Sequence, residues 1–215
     1  MTLKTVYPNR EEWLAGRGSG IGASEISSAM GRGYKTPLQL WRIKIGTEQS
    51  EDISGLERVK FGNDAEEPLR ALYSVMHPEH ELDFTPYTVF RQEGDYKFLF
   101  DTPDGWLTER GTGRRGLYES KTATLLSKAD YEKWNEKVPD NYFLQICQGM
   151  FCGDFDFAVI FALLRNKDGD AIVRAYNFER TDCEWQIEEI KREGKRFWQH
   201  VLDGTMPPAP LPSFS

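Results

Sequence analysis

Cysteine and histidine are scarce, at three each in 215 residues. Cys147, Cys152 and Cys183 are odd in number and show no CxxC spacing, so neither a disulfide framework nor a zinc or iron–sulfur site is supported. His77 and His80 fall in a proline-containing stretch that reads as a solvated loop, His200 stands alone, and no role is assigned to any of them. No apolar run approaches the roughly 18 residues that a membrane span needs, and residues 1–12 lack the apolar core of a secretory signal. A cytoplasmic protein with no membrane contact is expected. Positive charge is also short: 27 Lys and Arg against 34 Asp and Glu leave a formal charge of -7, which argues against coating nucleic acid by bulk charge. A nuclease stays open, because a carboxylate cluster suits divalent cations and a local basic surface can still track phosphates. No repeat or linker interrupts the chain before Pro207, Pro208, Pro210 and Pro212, so the expectation is one domain over residues 1–206 with an extended tail over 207–215.

The periodicities that are present outline an α/β or α+β fold, a central mixed sheet flanked by helices. A short helix is expected near Ser24, and a second is announced by Thr36, Pro37 and Gln39 and closed by Gly46. A third is read from Ser54, with Glu57 three residues on and Phe61, Ala65, Leu69, Leu72 and Met76 on one face. The β-branched and aromatic runs at 88–90 and 96–100 read as a hairpin, and Trp106, Leu107 and residues 116–121 extend the same sheet. A helix over about 140–152 follows, then a strand pair over 155–164 and 171–178. A last helix opens with Thr181 and Glu184 in capping-box spacing and ends at Gly204.

Chemistry concentrates between Phe100 and Lys121. Residues two apart on a strand share a face, so Glu119 and Lys121 lie together and the Ser120 carbonyl lies between them. Asp104, in a Pro-Asp-Gly turn at the end of the neighbouring strand, completes a cup of hard oxygen donors of the kind Mg²⁺ takes. The acid-x-Lys pattern alone is common. Here, however, its strand is otherwise apolar, and a buried charge needs a reason. On residues alone, Arg17 reads as a surface arginine, Glu66 as a solvated residue in an acidic run, and Tyr142 equally as a core aromatic. Trp13, Trp41, Trp106 and Trp198 read as packing residues.

Four separated blocks stand in order over about residues 13–164. They are Arg17-Gly18-Ser19-Gly20-Ile21-Gly22-Ala23-Ser24-Glu25-Ile26 with Pro37-Leu38-Gln39-Leu40-Trp41; Gly62-Asn63-Asp64-Ala65-Glu66-Glu67-Pro68; Thr102-Pro103-Asp104-Gly105 with Glu119-Ser120-Lys121; and Pro139-Asp140-Asn141-Tyr142-Phe143-Leu144-Gln145. Together they resemble the lambda exonuclease and YqaJ-like viral recombinase family of the PD-(D/E)xK nuclease superfamily. The resemblance implies a restriction-endonuclease-like core and a Mg²⁺-dependent deoxyribonuclease of the alkaline exonuclease type, with Mn²⁺ as a substitute metal. By the same resemblance Glu66, Asp104, Glu119 and the Ser120 carbonyl hold metal, and Lys121 and Gln145 serve the nucleophilic water. Arg17, Ser24 and Thr102 would bind phosphate, and Tyr142 would line the active site. It further implies a double-stranded DNA end as substrate, digested 5′ to 3′ to leave a 3′ overhang for a single-strand annealing protein in phage or prophage recombination. A homo-oligomer is implied too, a trimeric ring. Two departures stand out: Glu25 replaces the more usual aspartate after the serine, and the loop carrying Arg110, Arg114 and Arg115 is longer than the motif requires. Two rivals remain open, an endonuclease of restriction or repair type and a catalytically silent DNA-binding scaffold.

Overall fold

Two sheets and seven α-helices form among the described residues of the computed structural model, which covers residues 1–208. In chain order these are β1 (Thr2–Val6), α1 (Arg10–Arg17), β2 (Ile21–Gly22), a 3-10 turn (Ala23–Glu25), α2 (Ile26–Ala29), α3 (Pro37–Lys44) and α4 (Glu57–Met76). Then follow β3 (His80–Asp83), β4 (Thr88–Gln92), a second 3-10 turn (Gly94–Tyr96), β5 (Leu99–Asp101), β6 (Gly105–Glu109), β7 (Arg115–Leu125) and α5 (Lys128–Lys133). The chain closes with α6 (Asp140–Gly153), β8 (Phe157–Asn166), β9 (Ala171–Glu179) and α7 (Arg180–Asp203). Of the expected tail, residues 209–215 lie outside the described residues.

The expected single sheet is corrected to two, both mixed. One runs β1-β4-β5-β2 and the other β3-β6-β7-β8-β9. The hairpin of β4 with β5 forms, with Phe90 opposite Asp101, but Tyr96 sits in the 3-10 turn rather than a strand. The 102–104 turn then carries the chain out of that sheet, and β6 pairs antiparallel with β3 and β7 instead. Parallel pairing of β7 with β8, Glu119 opposite Ile160, places the acid-bearing strand at the centre of the five-stranded sheet.

The two faces of that sheet bury different partners. Ala65, Leu69 and Tyr73 of α4 pack on Leu107, Tyr118, Phe157, Val159 and Phe161. Leu117, Ala158, Ile160 and Ala162 pack into the larger cluster, with Leu144, Ile146, Cys147 and Met150 of α6 and Ile187, Ile190 and Phe197 of α7. The three cysteines are buried thiols. Trp41 belongs to this core, Trp106 and Trp198 pack against it, and Trp13 carries the Arg17 guanidinium 4.8 Å from its ring centroid.

Helix starts are where local reading and structure differ most. Thr36 caps α3 with the expected reciprocal Gln39 box. Ser54 does not cap α4, which begins at Glu57, and Thr181 lies inside α7, whose cap is Glu179. Neither start has a side-chain cap, because both helices are fixed by the core faces they bury. The chain near Ser24 forms the 3-10 turn and the four-residue α2. α1, which the periodicity missed, is capped by Asn9, whose side chain accepts from the Glu12 amide at 3.0 Å. His80 is in β3 rather than a solvated loop, with its Nδ1 2.6 Å from the Tyr73 hydroxyl.

α6 lies close on the sheets because of Gly149. A Cβ there would stand 2.5 Å from Leu117 Cδ2 and 2.8 Å from Asp101 Oδ2, in a core that cannot yield without cost. Gly149→Ala is expected to lose about 1–3 kcal/mol of stability, read as a lower urea midpoint with an unchanged slope.

Candidate active site

Side chains alternate across β7. Leu117 faces α6 and Tyr118 faces α4, so Glu119 and Lys121 look toward α6 while Ser120 looks the other way. Glu119 is 1% exposed. Its Oε2 accepts from Lys121 Nζ at 2.9 Å and from Gln145 Nε2 of α6 at 2.9 Å. Its Oε1 is buried and has no hydrogen-bond partner. Leaving a buried acceptor unpaired costs about 1–3 kcal/mol, so this oxygen marks a place for a ligand. Lys121 Nζ also stands 5.2 Å from the ring centroid of Tyr142, three residues before Gln145 on α6.

Asp104 reaches the same place from the turn between β5 and β6. Its Oδ2 accepts from the Ser120 amide at 2.9 Å and from Ser120 Oγ at 2.8 Å, which fixes the acid against β7. Arg70 of α4 donates Nη1 to the Asp104 carbonyl at 3.2 Å and stands 4.0 Å from Glu66 Oε2, tying the helix acid to the turn. Sequence reading missed Arg70; its one signal is the four-residue spacing from Glu66. Glu66, Asp104, Glu119, Ser120, Lys121 and Gln145 all line one cleft of about 1070 Å³, together with Ser24, Thr102 and Tyr142. A smaller cavity of about 240 Å³ beside Trp134 and Arg174 contains none of them.

Crowded carboxylates hold their protons. Burial, and then the Asp104 charge, push Glu66 up to about 7 against the pull of Arg70 and Lys121. Asp101, also missed in the sequence, is 2% exposed with Oδ2 unpartnered. Burial and then Asp104 push it up to about 7. Burial raises Glu119 well above the usual carboxylate range, with the Lys121 charge opposing. For Lys121 burial alone would favour the neutral amine, but Glu119 and Asp104 outweigh it and keep the ammonium charged.

Once ionised, four acids around one ammonium leave surplus negative charge, which a divalent cation would neutralise. Among the described residues no group of three or more His, Cys, Asp or Glu side chains is arranged to hold an ion. A cation here would draw on a mixed set, one or two of the Glu66, Asp104 and Glu119 carboxylates at a time with the Ser120 carbonyl, and water or phosphate oxygens for the rest. Mg²⁺ sites are commonly of this kind.

The candidate phosphate residues gather at one end. Gly22 of β2 lies opposite Phe100 of the parallel β5, so Ser24 and Thr102 each follow two residues later, just past the ends of the two neighbouring strands. Arg17 Nη1 donates to Thr102 Oγ1 at 3.1 Å, and Arg17 meets the cleft through that contact. Glu25 has its own role in the turn: its Oε2 accepts from the Gly22 amide at 2.9 Å and from Lys44 Nζ at 2.7 Å, fixing the Ser24 turn to α3. The long arginine loop points elsewhere. Arg110 stands 4.0 Å from Glu81, Arg114 pairs with Glu179, and Arg115 lies over Phe155, so these arginines anchor the sheet. The cations that do line the cleft, besides Lys121, are Lys35, Arg58 and Arg165, none of which sequence reading singled out.

Comparison with known proteins gives a family and a fold. The model of the YqaJ-like viral recombinase domain matches residues 12–156. The chain is 27% identical over 144 residues to a protein of Bacillus subtilis (strain 168) described as uncharacterized protein YqaJ, covering 64% of this chain and 40% of that relative. The match thus spans less than half of the relative's length. Among solved structures it is similar to the alkaline exonuclease LHK-Exo from Laribacter hongkongensis, with a TM-score of 0.68 at 18% identity, covering 91% and 94% of the two chains. It is also similar to a phage related exonuclease from Haemophilus somnus 129PT, with a TM-score of 0.55 at 12% identity, covering 86% and 96%. At these identities the two likenesses establish a shared fold and nothing more. No helix among the described residues is long and apolar enough to cross a membrane.

Proposed function

The chain belongs to the YqaJ-like viral recombinase domain family, and on that premise we propose that it is a metal-dependent deoxyribonuclease acting on the ends of duplex DNA. One observation carries the reading. Glu119 is buried at the cleft beside Asp104, its Oε2 held by Lys121 and Gln145 and its Oε1 left unpaired. Glu66, Asp104, Glu119 and the Ser120 carbonyl are the donors for Mg²⁺, with Mn²⁺ as substitute. When bound, such a cation polarises the scissile phosphate and makes water more acidic.

The remaining work belongs to the chain. Lys121 stays charged in the cleft, where its ammonium can orient the attacking water and balance the charge that develops on the phosphate. Gln145 holds Glu119 in one rotamer by bonding the oxygen that Lys121 also bonds, leaving Oε1 for the cation. Arg17, Thr102 and Ser24 receive a phosphate next to the cleaved one, and Tyr142 walls the site behind Lys121. The fold shared with proteins named exonucleases favours attack from an end over internal cutting. A place in phage recombination is supported by membership of a viral recombinase family, and digestion from the 5′ end, a single-strand annealing partner and a ring-shaped homo-oligomer complete the proposal on the resemblance to lambda exonuclease alone.

The test is digestion of linear 5′-phosphorylated duplex and of closed circular DNA with Mg²⁺, each strand labelled at one end. Mononucleotide release from the 5′ strand of the linear duplex, with the circle intact, is expected. Cutting of the circle would replace the end-dependent reading with an endonuclease, and intact linear DNA under both Mg²⁺ and Mn²⁺ would overturn the enzyme reading.

A further inference from the structure

Tyr34 is 88% exposed, although the loop that carries it, between α2 and α3, is held at several points. The Arg32 amide donates to the Ser27 carbonyl at 2.7 Å, and the Arg32 side chain makes two bonds to the buried Glu189 of α7, at 3.0 and 3.3 Å. Gly33 lies so close to α2 that a Cβ there would stand 2.4 Å from Ser28 Oγ. The Lys35 amide donates to that same oxygen at 3.3 Å, and Thr36 is locked in its capping box. A loop fixed on both sides of one residue presents that residue in a defined place. Here the residue is a large aromatic ring that the core has not taken up.

That place is the mouth of the cleft, which Tyr34 and Lys35 line together with Arg58 and Arg165. The Tyr34 phenol is close enough to Tyr142 that, after burial, it is the next cause raising the Tyr142 phenol. The Tyr142 ring in turn lies beside Lys121. Rim and acid centre are thus linked by two tyrosines in succession. A nucleotide whose phosphate lay at Lys121 and whose base ran outward past Tyr142 would meet the exposed Tyr34 ring at the mouth of the same cleft. The cationic rim suits the flanking phosphates, and an aromatic face accepts any base.

We propose that Tyr34 is the stacking platform for the base of the terminal nucleotide whose phosphate lies at the acid centre. This rests on the nuclease reading above. Stacking of one base on an aromatic residue changes affinity by about five- to 150-fold, so roughly tenfold is expected. The experiment is a cycle between the ring and the base, by fluorescence anisotropy in EDTA. Wild type, Tyr34→Ala, Tyr34→Phe and Tyr34→Trp are titrated onto a 5′-phosphorylated duplex with an intact end. The same duplex with an abasic terminal nucleotide on the 5′ or the 3′ strand is titrated in parallel. Wild type, Tyr34→Phe and Tyr34→Trp are expected to bind the intact end about tenfold more tightly than one of the abasic ends, and Tyr34→Ala to bind all ends alike. If Tyr34→Ala keeps the wild-type preference, or wild type shows none, the stacking role is overturned while DNA binding stands. If wild type binds no end at all, the nuclease reading falls with it.

Discussion

Lys121→Met is expected to remove hydrolysis, by a factor of about 10²–10⁴, and to unfold more easily in the absence of cation. Both effects come from one position. Lys121 is the ammonium whose charge lowers the proton affinity of Glu66, Asp101 and Glu119 alike. Methionine fills similar volume but leaves those acids without that charge. Removing one partner of a buried ion pair costs about 3–5 kcal/mol, equivalent to roughly 6–20 °C in melting temperature for a chain of this size. Calorimetry in EDTA at pH 8 measures the loss. At pH 5 the loss should be much smaller, since the acids then carry protons. A variant as stable as wild type at pH 8 would show that the acids do not depend on Lys121.

Mg²⁺ is expected to stabilise the wild-type protein far more at pH 8 than at pH 5. Glu66 and Asp101 are pushed up to about 7 in the folded chain, from reference values of 4.5 and 3.8. Folded-state values above the unfolded ones mean that the native state binds protons more tightly. That stability is fully present below about pH 4, the unfolded range, and is lost as pH rises through 7. The cation-free protein should therefore lose on the order of a few kcal/mol from this cluster between pH 4 and 8, most of it from the buried Asp101, because solvent screens the partly exposed Glu66. A cation stabilises the ionised carboxylates and reverses the loss where they would otherwise repel. Thermal unfolding with EDTA or Mg²⁺ at the two pH values checks this. An equal gain at both would contradict the assigned cluster.

Much of this site was legible in the chain. Glu119 and Lys121 share a face by strand periodicity alone, and the Pro-Asp-Gly turn announced Asp104 at a strand end. Placement of Glu66, Gln145, Arg17, Ser24 and Thr102 came from the order of blocks that resemble a known family. The structure draws Glu66, Gln145, Ser24 and Thr102 to one cleft, with Arg17 joined through Thr102. What stayed hidden depends on contacts between distant segments. The two-residue β2 has no periodicity to read, and it becomes a strand only because β5, far along the chain, pairs with it. Gln148 of α6 then ties the two, donating to the Ile21 and Phe100 carbonyls at 2.8 and 3.0 Å. Arg70 and Asp101 look ordinary in sequence, and their roles follow from burial and from the acid they face. The arginine loop illustrates the reverse case. It stands out in sequence as longer than the motif requires, yet the partners of its arginines Arg110 and Arg114 are Glu81, Glu109 and Glu179.

The central claim is that acids from three elements share a cation with the Ser120 carbonyl. Anomalous scattering from crystals grown with Mn²⁺ tests it most directly. The account predicts a peak within coordination distance of Asp104, the unpaired Oε1 of Glu119 and the Ser120 carbonyl, lost in Asp104→Asn. Ordered density without a manganese peak there, or with its only peak elsewhere on the surface, would contradict it.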